Sequence, residues 1–134
     1  MRRFLYNDPR TAQFIAKSVG STDCQCHSSI ALEEDGQIIA GALFDNYSGP
    51  NIFIHFSSSE VHSFPRDLLK LVFGYAFNAL KVKRVTGAFS SSNKRVKKLG
   101  ELIGFKYETK LAGACQDGDL LFYCLKPADC RFLV

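Results

Sequence analysis

No hydrophobic run in this chain is long enough to cross a bilayer. The most apolar segment, residues 67–80, is short and carries Asp67 and Lys70, whereas a spanning helix needs about 20 apolar residues. No apolar core stands ahead of Asp8 at the N-terminus, where Arg2 and Arg3 lead into Phe4, Leu5 and Tyr6, so the start does not read as a secretory leader. The expectation is a cytoplasmic protein with no membrane partner. Cysteine is sparse and odd in number, at five, which argues for reduced thiols rather than a disulfide framework. Cys24, Cys26 and His27 stand close together, but no second pair at zinc spacing answers them, so no metal is expected. Repeats and linker-like stretches are also missing. The 134 residues are read as a single domain, 1–134, with no room for a second catalytic domain.

Acidic residues are missing where basic ones gather. Between Asp67 and Glu101 there is none, while Lys70, Lys81, Lys83, Arg84, Lys94, Arg95, Lys97 and Lys98 all fall there. Such a segment is either a solvated face or a seat for an anionic visitor, a phosphorylated cofactor or nucleic acid.

What is present reads as alternating strands and helices. Phe4–Tyr6 has the look of an edge strand, and Asp8-Pro9 of an N-cap and first helical position, with Phe14, Ile15 and Val19 on one stripe up to Gly20. Residues 28–34 and 37–44 form a hairpin around Asp35-Gly36, a strong short-range turn signal. In residues 52–56 strict alternation puts Ile52, Ile54 and Phe56 on one face and Phe53 and His55 on the other. A nearly buried helix is expected over 66–80, a strand over 82–89, and an amphipathic helix capped by Ser92 or Asn93 and stopped by Gly104. Strands over 105–112 and 119–125, joined at Asp117-Gly118, close the chain. The fold class that follows is α+β: a mixed, mostly antiparallel sheet flanked by helices.

The segment from Val85 through Ser90-Ser91-Ser92-Asn93 to Gly104-Phe105 and Glu108, taken with this element order, resembles the GCN5-related N-acetyltransferase (GNAT) superfamily. It is most similar to short members from bacteria and their phages, which share a step like His55-Phe56-Ser57 and a tail like Asp129-Cys130-Arg131-Phe132-Leu133. A phage origin would make the location the host cytoplasm. The resemblance, over residues 28–134, implies acetyl-CoA as co-substrate, held between two splayed strands by Phe56, Ser57, Ser58 and Ser59 and by Arg66, Ser92, Asn93 and Arg95. Two departures stand out. The loop from Ser57 to Arg66, where the family carries a glycine-rich phosphate turn, has no glycine. Gly100 stands where many members place a tyrosine as general acid.

Acetyl transfer to an amine needs a held thioester, a base for the ammonium proton and a fate for the thiolate. His55 has the chemistry of a base, or it is a cleft-wall histidine. Glu33 is either a water-mediated proton relay or a solvated turn carboxylate. Tyr123 is either the acid or a core tyrosine. The leading expectation is direct attack in a ternary complex, on an amine-bearing small molecule or protein. The small size leaves room for a partner subunit in a homodimer, or for a large substrate, to complete the cleft. The alternatives are a GNAT-like domain that binds or modifies nucleic acid and a catalytically silent interaction domain. Residues 90–98 hold no aromatic among their basic side chains, which favours the cofactor over a nucleic acid.

Overall fold

The computed structural model describes residues 1–19, 28–59 and 64–133. Cys24, Cys26 and His27, and residues 60–63 of the glycine-free loop, lie outside the described residues. Elements follow one another as β1 (Arg2–Tyr6), α1 (Pro9–Val19), β2 (Ser28–Glu34), β3 (Gln37–Asp45), β4 (Asn51–Ser58), α2 (Arg66–Gly74), β5 (Arg84–Ser90), α3 (Lys94–Ile103), β6 (Lys106–Cys115) and β7 (Gly118–Leu125). The seven strands make one sheet in the order β1-β2-β3-β4-β5-β7-β6. Among the described strands only β4 and β5 run parallel; the other pairs are antiparallel. The mixed, mostly antiparallel α+β arrangement expected from the sequence is the one found.

Local chemistry accounts for several of these elements. Asp35 and Gly36 both have positive φ, 52° and 84°, the conformation a two-residue hairpin turn requires to match the twist of its strands. The side chain of Asn93 accepts a hydrogen bond from the Val96 amide at 3.3 Å and so caps α3. Alternation along β4 is sharp: Ile52, Ile54 and Phe56 are buried, while Phe53 and His55 are partly exposed.

One expected element differs. The helix predicted over 66–80 is α-helical only to Gly74 and closes with a π-helical turn, Tyr75–Ala79. There Tyr75 packs its ring against Phe44, 5.3 Å between centroids, and its hydroxyl accepts from Ser28 Oγ at 2.8 Å. Both contacts come from distant segments, and the hydrophobic period of residues 66–80 does not contain them. The strand predicted from Val82 begins instead at Arg84, after Lys81 turns through a positive φ of 57°.

The sheet is covered on both faces. On one, Ile54 and Phe56 pack with Leu68, Val72 and Phe73 of α2 and with Phe105, which sits 5.9 Å from Phe56 and 6.1 Å from Phe73 between ring centroids. On the other, α1 lies over β3 with Thr11 and Ile15 fully buried. His55 belongs to this second face, because register pairs it with Leu43 and pairs Ser57 with Gly41, the glycine on which the Thr11 methyl packs. Edge strand β6 is exposed along nearly all its length and is bent by two register shifts, which blunts it against pairing with another chain.

Candidate active site

The central feature is where β4 and β5 part. They pair from Asn51–Arg84 to Ile54–Gly87 and no further. Past that point β4 stays laddered to β3 as far as Ser58, and β5 stays laddered to β7 as far as Ser90. Each strand follows its outer neighbour, and the right-handed twist of the two halves carries them apart. On the α2–α3 side the opening is closed by aromatic rings. A Cβ at Gly100 would lie 3.6 Å from Phe56 Cζ and 3.9 Å from Phe89 Cζ. A methyl fits there, but a larger side chain meets these rings, which gives a packing reason for glycine at this helix position.

On the α1 side the parted strands open into a cavity of about 730 Å³. Its base is formed by His55 of β4, Ala88 and Ser90 of β5, and Leu120 of β7. Ser92 and Asn93 border it at the start of α3, and Cys115, Gln116 and Asp117 form a wall at the β6–β7 turn. Lys17 reaches it from the last turn of α1.

His55 does not stand alone. Its Nε2 lies 3.1 Å from Asp45 Oδ2, with 25% of the imidazole and 17% of the carboxylate side chain exposed. The two are diagonal neighbours on one face, since Leu43 pairs with His55 and Asp45 with Phe53. A carboxylate accepts, so in the neutral ring this contact favours the tautomer with the hydrogen on Nε2, which leaves Nδ1 to accept. Sequence reasoning missed Asp45. The antiparallel register across the Asn46–Asn51 turn brings Asp45 beside His55, and no local pattern sets that register.

A second polar cluster joins the start of α3 to the β6–β7 turn. Ser92 Oγ donates to Asp117 Oδ2 at 2.8 Å and Ser90 Oγ to Asp117 Oδ1 at 3.2 Å. The Ser92 hydrogen bond is the main reason the Asp117 carboxyl sits below the usual carboxylate range. Ser91 Oγ accepts from the Asp119 amide at 2.9 Å. The two loops touch so closely that a Cβ at Gly118 would lie 2.4 Å from Ser91 Oγ.

Of the residues singled out from the sequence, His55, Ser92 and Asn93 line the cavity. Arg95 donates through Nη2 to the Ser59 carbonyl and, at 3.3 Å, to Ser58 Oγ, so it spans from α3 to the far end of β4. Phe56 and Ser57 are buried in β4, and the guanidinium of Arg66 lies 5.9 Å over the Phe132 ring.

Of the three residues expected to be catalytic, two are not brought to the cavity. Tyr123 is 2% exposed and stacks on Phe89 at 5.0 Å and edge-on to Tyr107 at 5.6 Å, on the core side of the sheet; burial raises its hydroxyl pKa. Glu33 is held at the other end of the fold, by Arg3 Nε at 2.5 Å and Arg10 Nη2 at 2.8 Å. Those hydrogen bonds, Arg3 first, pull its carboxyl below the ordinary range. It is neither a solvated turn carboxylate nor a neighbour of His55, because two arginines from β1 and α1 have already claimed it.

No helix of the described residues is long and apolar enough to cross a membrane, and no cluster of three or more metal-ligating side chains occurs among them. No family model and no curated protein matches the chain by sequence. Solved structures do match it in three dimensions. The spermidine/spermine N-acetyltransferase SpeG of Vibrio cholerae superposes with a TM-score of 0.72 at 13% identity, over 96% of each chain. The protein yncA of Salmonella typhimurium, solved with its cofactor acetyl-CoA, gives 0.69 at 14% identity over 93% of each. The ribosomal-protein-S5-alanine acetyltransferase of Vibrio fischeri gives 0.65 at 14% identity, over 78% of this chain and 63% of that one. The chain spans about three fifths of the length of two of the acetyltransferases it resembles, 61% and 63%. At such identities the likeness establishes the fold.

Proposed function

We propose, with the GNAT fold of this chain as premise, that it is an N-acetyltransferase moving an acetyl group from acetyl-CoA to an amine by direct attack in a ternary complex. The observation that carries the reading is the parted end of β4 and β5, opening into a cavity with a carboxylate-held histidine at its base. Acetyl-CoA, when bound, supplies an acyl thioester whose acetyl group passes to the amine with release of the CoA thiol.

The residues fit such a ligand. The facing edges of β4 and β5 beyond Ile54 and Gly87 are not paired with one another, which leaves an extended amide-bearing arm somewhere to lie. The first turn of α3, capped by Asn93 and flanked by Ser92 and Arg95, offers backbone amides and a guanidinium to phosphate oxygens. Ser58 and Ser59 already meet Arg95, so an arriving anion takes over a donor that is preplaced. Ser57 lies in the same end of β4, and Arg66 opens α2.

In this reading His55 is the base. Nδ1 accepts the ammonium proton directly or through one water, and the Asp45 carboxylate keeps the ring in the productive tautomer and balances the imidazolium that forms. Tyr123 and Glu33 have no part in it, since neither lines the cavity.

The test is a thermal shift followed by thiol release. A ligand at 100 times its Kd stabilises the native state by about 2.7 kcal/mol, so saturating acetyl-CoA is expected to raise the melting temperature by several degrees. A panel of amines should then release free thiol. An unchanged melting temperature with acetyl-CoA, alongside a rise with duplex DNA, would replace this reading with the nucleic-acid one.

A further inference from the structure

We infer that the acceptor is a small amino acid-like zwitterion, an amine carrying a carboxylate of its own. The inference rests on the acetyltransferase reading and concerns which amine that site selects.

Most carboxylates elsewhere in the described structure are spent on cations. Glu33 and Asp8 meet Arg10, Glu34 meets Arg2, Asp35 meets the N-terminal ammonium, Glu108 meets Arg84, and Asp129 meets Lys106. The cavity is built differently. Its one acidic lining residue, Asp117, is held by two serine hydroxyls and by no cation among the described residues. A second carboxylate, Asp45, does not line the cavity but stands behind its wall on His55. Hydroxyl donors keep a carboxylate ionised without neutralising it, so this part of the cavity stays negative and favours an arriving ammonium.

Lys17 supplies the opposite sign. It lines the same cavity from α1, is exposed, and enters no ion pair among the described residues. It lies on the α1 face with His55, whereas Arg95 reaches the end of β4 from α3 on the other side of the sheet. Neither Arg95 nor its partners Ser58 and Ser59 line the cavity, so a phosphate held by them does not use Lys17. A simple amine leaves the lysine unanswered, and a polyamine sets a second ammonium against it. An amino acid answers both signs at once, with its ammonium toward Asp117 and the His55–Asp45 pair and its carboxylate toward Lys17. The reaction balances as an ordinary transfer: an N–C bond forms, the C–S bond breaks, the ammonium proton passes to His55, and the thiolate takes a proton from water.

The experiment uses the full chain and the common amino acids, each beside its carboxamide and its decarboxylated amine, with diamines as a further set. At least one amino acid is expected to exceed both of its neutralised analogues in kcat/KM by roughly 10- to 100-fold, the worth of one charge-assisted contact. Lys17→Glu should reverse that preference through KM and abolish calorimetric binding of the amino acid to the CoA-loaded protein. The melting temperature, read alongside, should not move for so exposed a residue. Diamines or decarboxylated amines turning over as well as every amino acid would overturn the inference while leaving the acetyltransferase standing. So would a Lys17→Glu variant with an unchanged preference. No thiol release from any amine, with no thermal shift by acetyl-CoA, would overturn both.

Discussion

The two ends of β-strand territory in this protein treat charge in opposite ways. At the corner of β1, β2 and α1, every charge is consumed locally. Met1 meets Asp35, Arg2 meets Glu34, and Arg3 and Arg10 converge on Glu33. At the parted end of β4 and β5, Asp117 is met by hydroxyls, Asp45 by an imidazole, and Lys17 by no ion-pair partner among the described residues. A corner with its charges neutralised in place organises the fold. A cavity whose charges are shaped but unneutralised is prepared for something that brings its own. The contrast makes a clear demand: substitutions at the corner should cost stability and spare turnover, and substitutions at the parted end should do the reverse.

The largest effect belongs to His55. His55→Gln keeps a polar group of similar reach but takes no proton at neutral pH, so turnover should fall by about 10²–10⁴-fold with melting and acetyl-CoA affinity near wild type. A pH–rate profile with an unchanged rising limb would make His55 a cleft wall. Asp45→Asn should cost less, on the order of tenfold in kcat, and should move that limb, because the amide no longer balances the imidazolium.

Next comes the contact between the two loops. Gly118→Ala places a Cβ 2.4 Å from Ser91 Oγ, so the β6–β7 turn must shift and take Asp117 with it. About 1–3 kcal/mol of stability should be lost, and acceptor KM should rise. Ser91→Ala on top of Gly118→Ala should recover part of the loss, since the nearest colliding atom is that hydroxyl. A double-mutant cycle with no coupling would place the strain elsewhere. Asn93→Ala removes the cap of α3, which typically costs about 1 kcal/mol. It should also weaken acetyl-CoA binding, and a fall in stability alone would make Asn93 purely structural.

The smallest effect on turnover is at the corner. Glu33→Gln should leave kcat unchanged and lower the melting temperature at neutral pH. The sign follows from the arginines, which hold the folded carboxyl below its unfolded value. Stabilisation of that kind is complete above the unfolded pKa of about 4.3 and is lost as the pH falls through the folded value. Melting curves of the two proteins should therefore differ at pH 7 and converge in acid. A gap that persists in strong acid would mean that the residue acts by packing rather than by charge.

Much of this was legible in the residues. Asp35-Gly36 specified its hairpin, Asn93 its cap, and the period-two pattern of β4 put His55 on the accessible face. Each is a short-range device, in which the groups that satisfy one another lie within a few residues. Three features were not legible. Glu33 looked like a lone carboxylate at a turn, because nothing local says that Arg3 and Arg10 will fold onto it. Asp45 fell between the strand read over 37–44 and the turn after it, and its bond to His55 exists only in the β3–β4 register. Asp117 read as a turn residue, although its partners lie 25 and 27 positions away.

The same division holds for the molecule as a whole. The sequence by itself determined the order of elements, the main turns and the cap of α3, and which face of β4 is apolar, because backbone hydrogen bonding and side-chain period are local. Only the tertiary structure decided where β4 and β5 part and which carboxylates are neutralised. It also decided that Lys17, His55 and Asp117 share one cavity. Those outcomes depend on how twisted strands choose between competing neighbours and on which charge reaches a partner first, and both are settled by residues far apart along the chain.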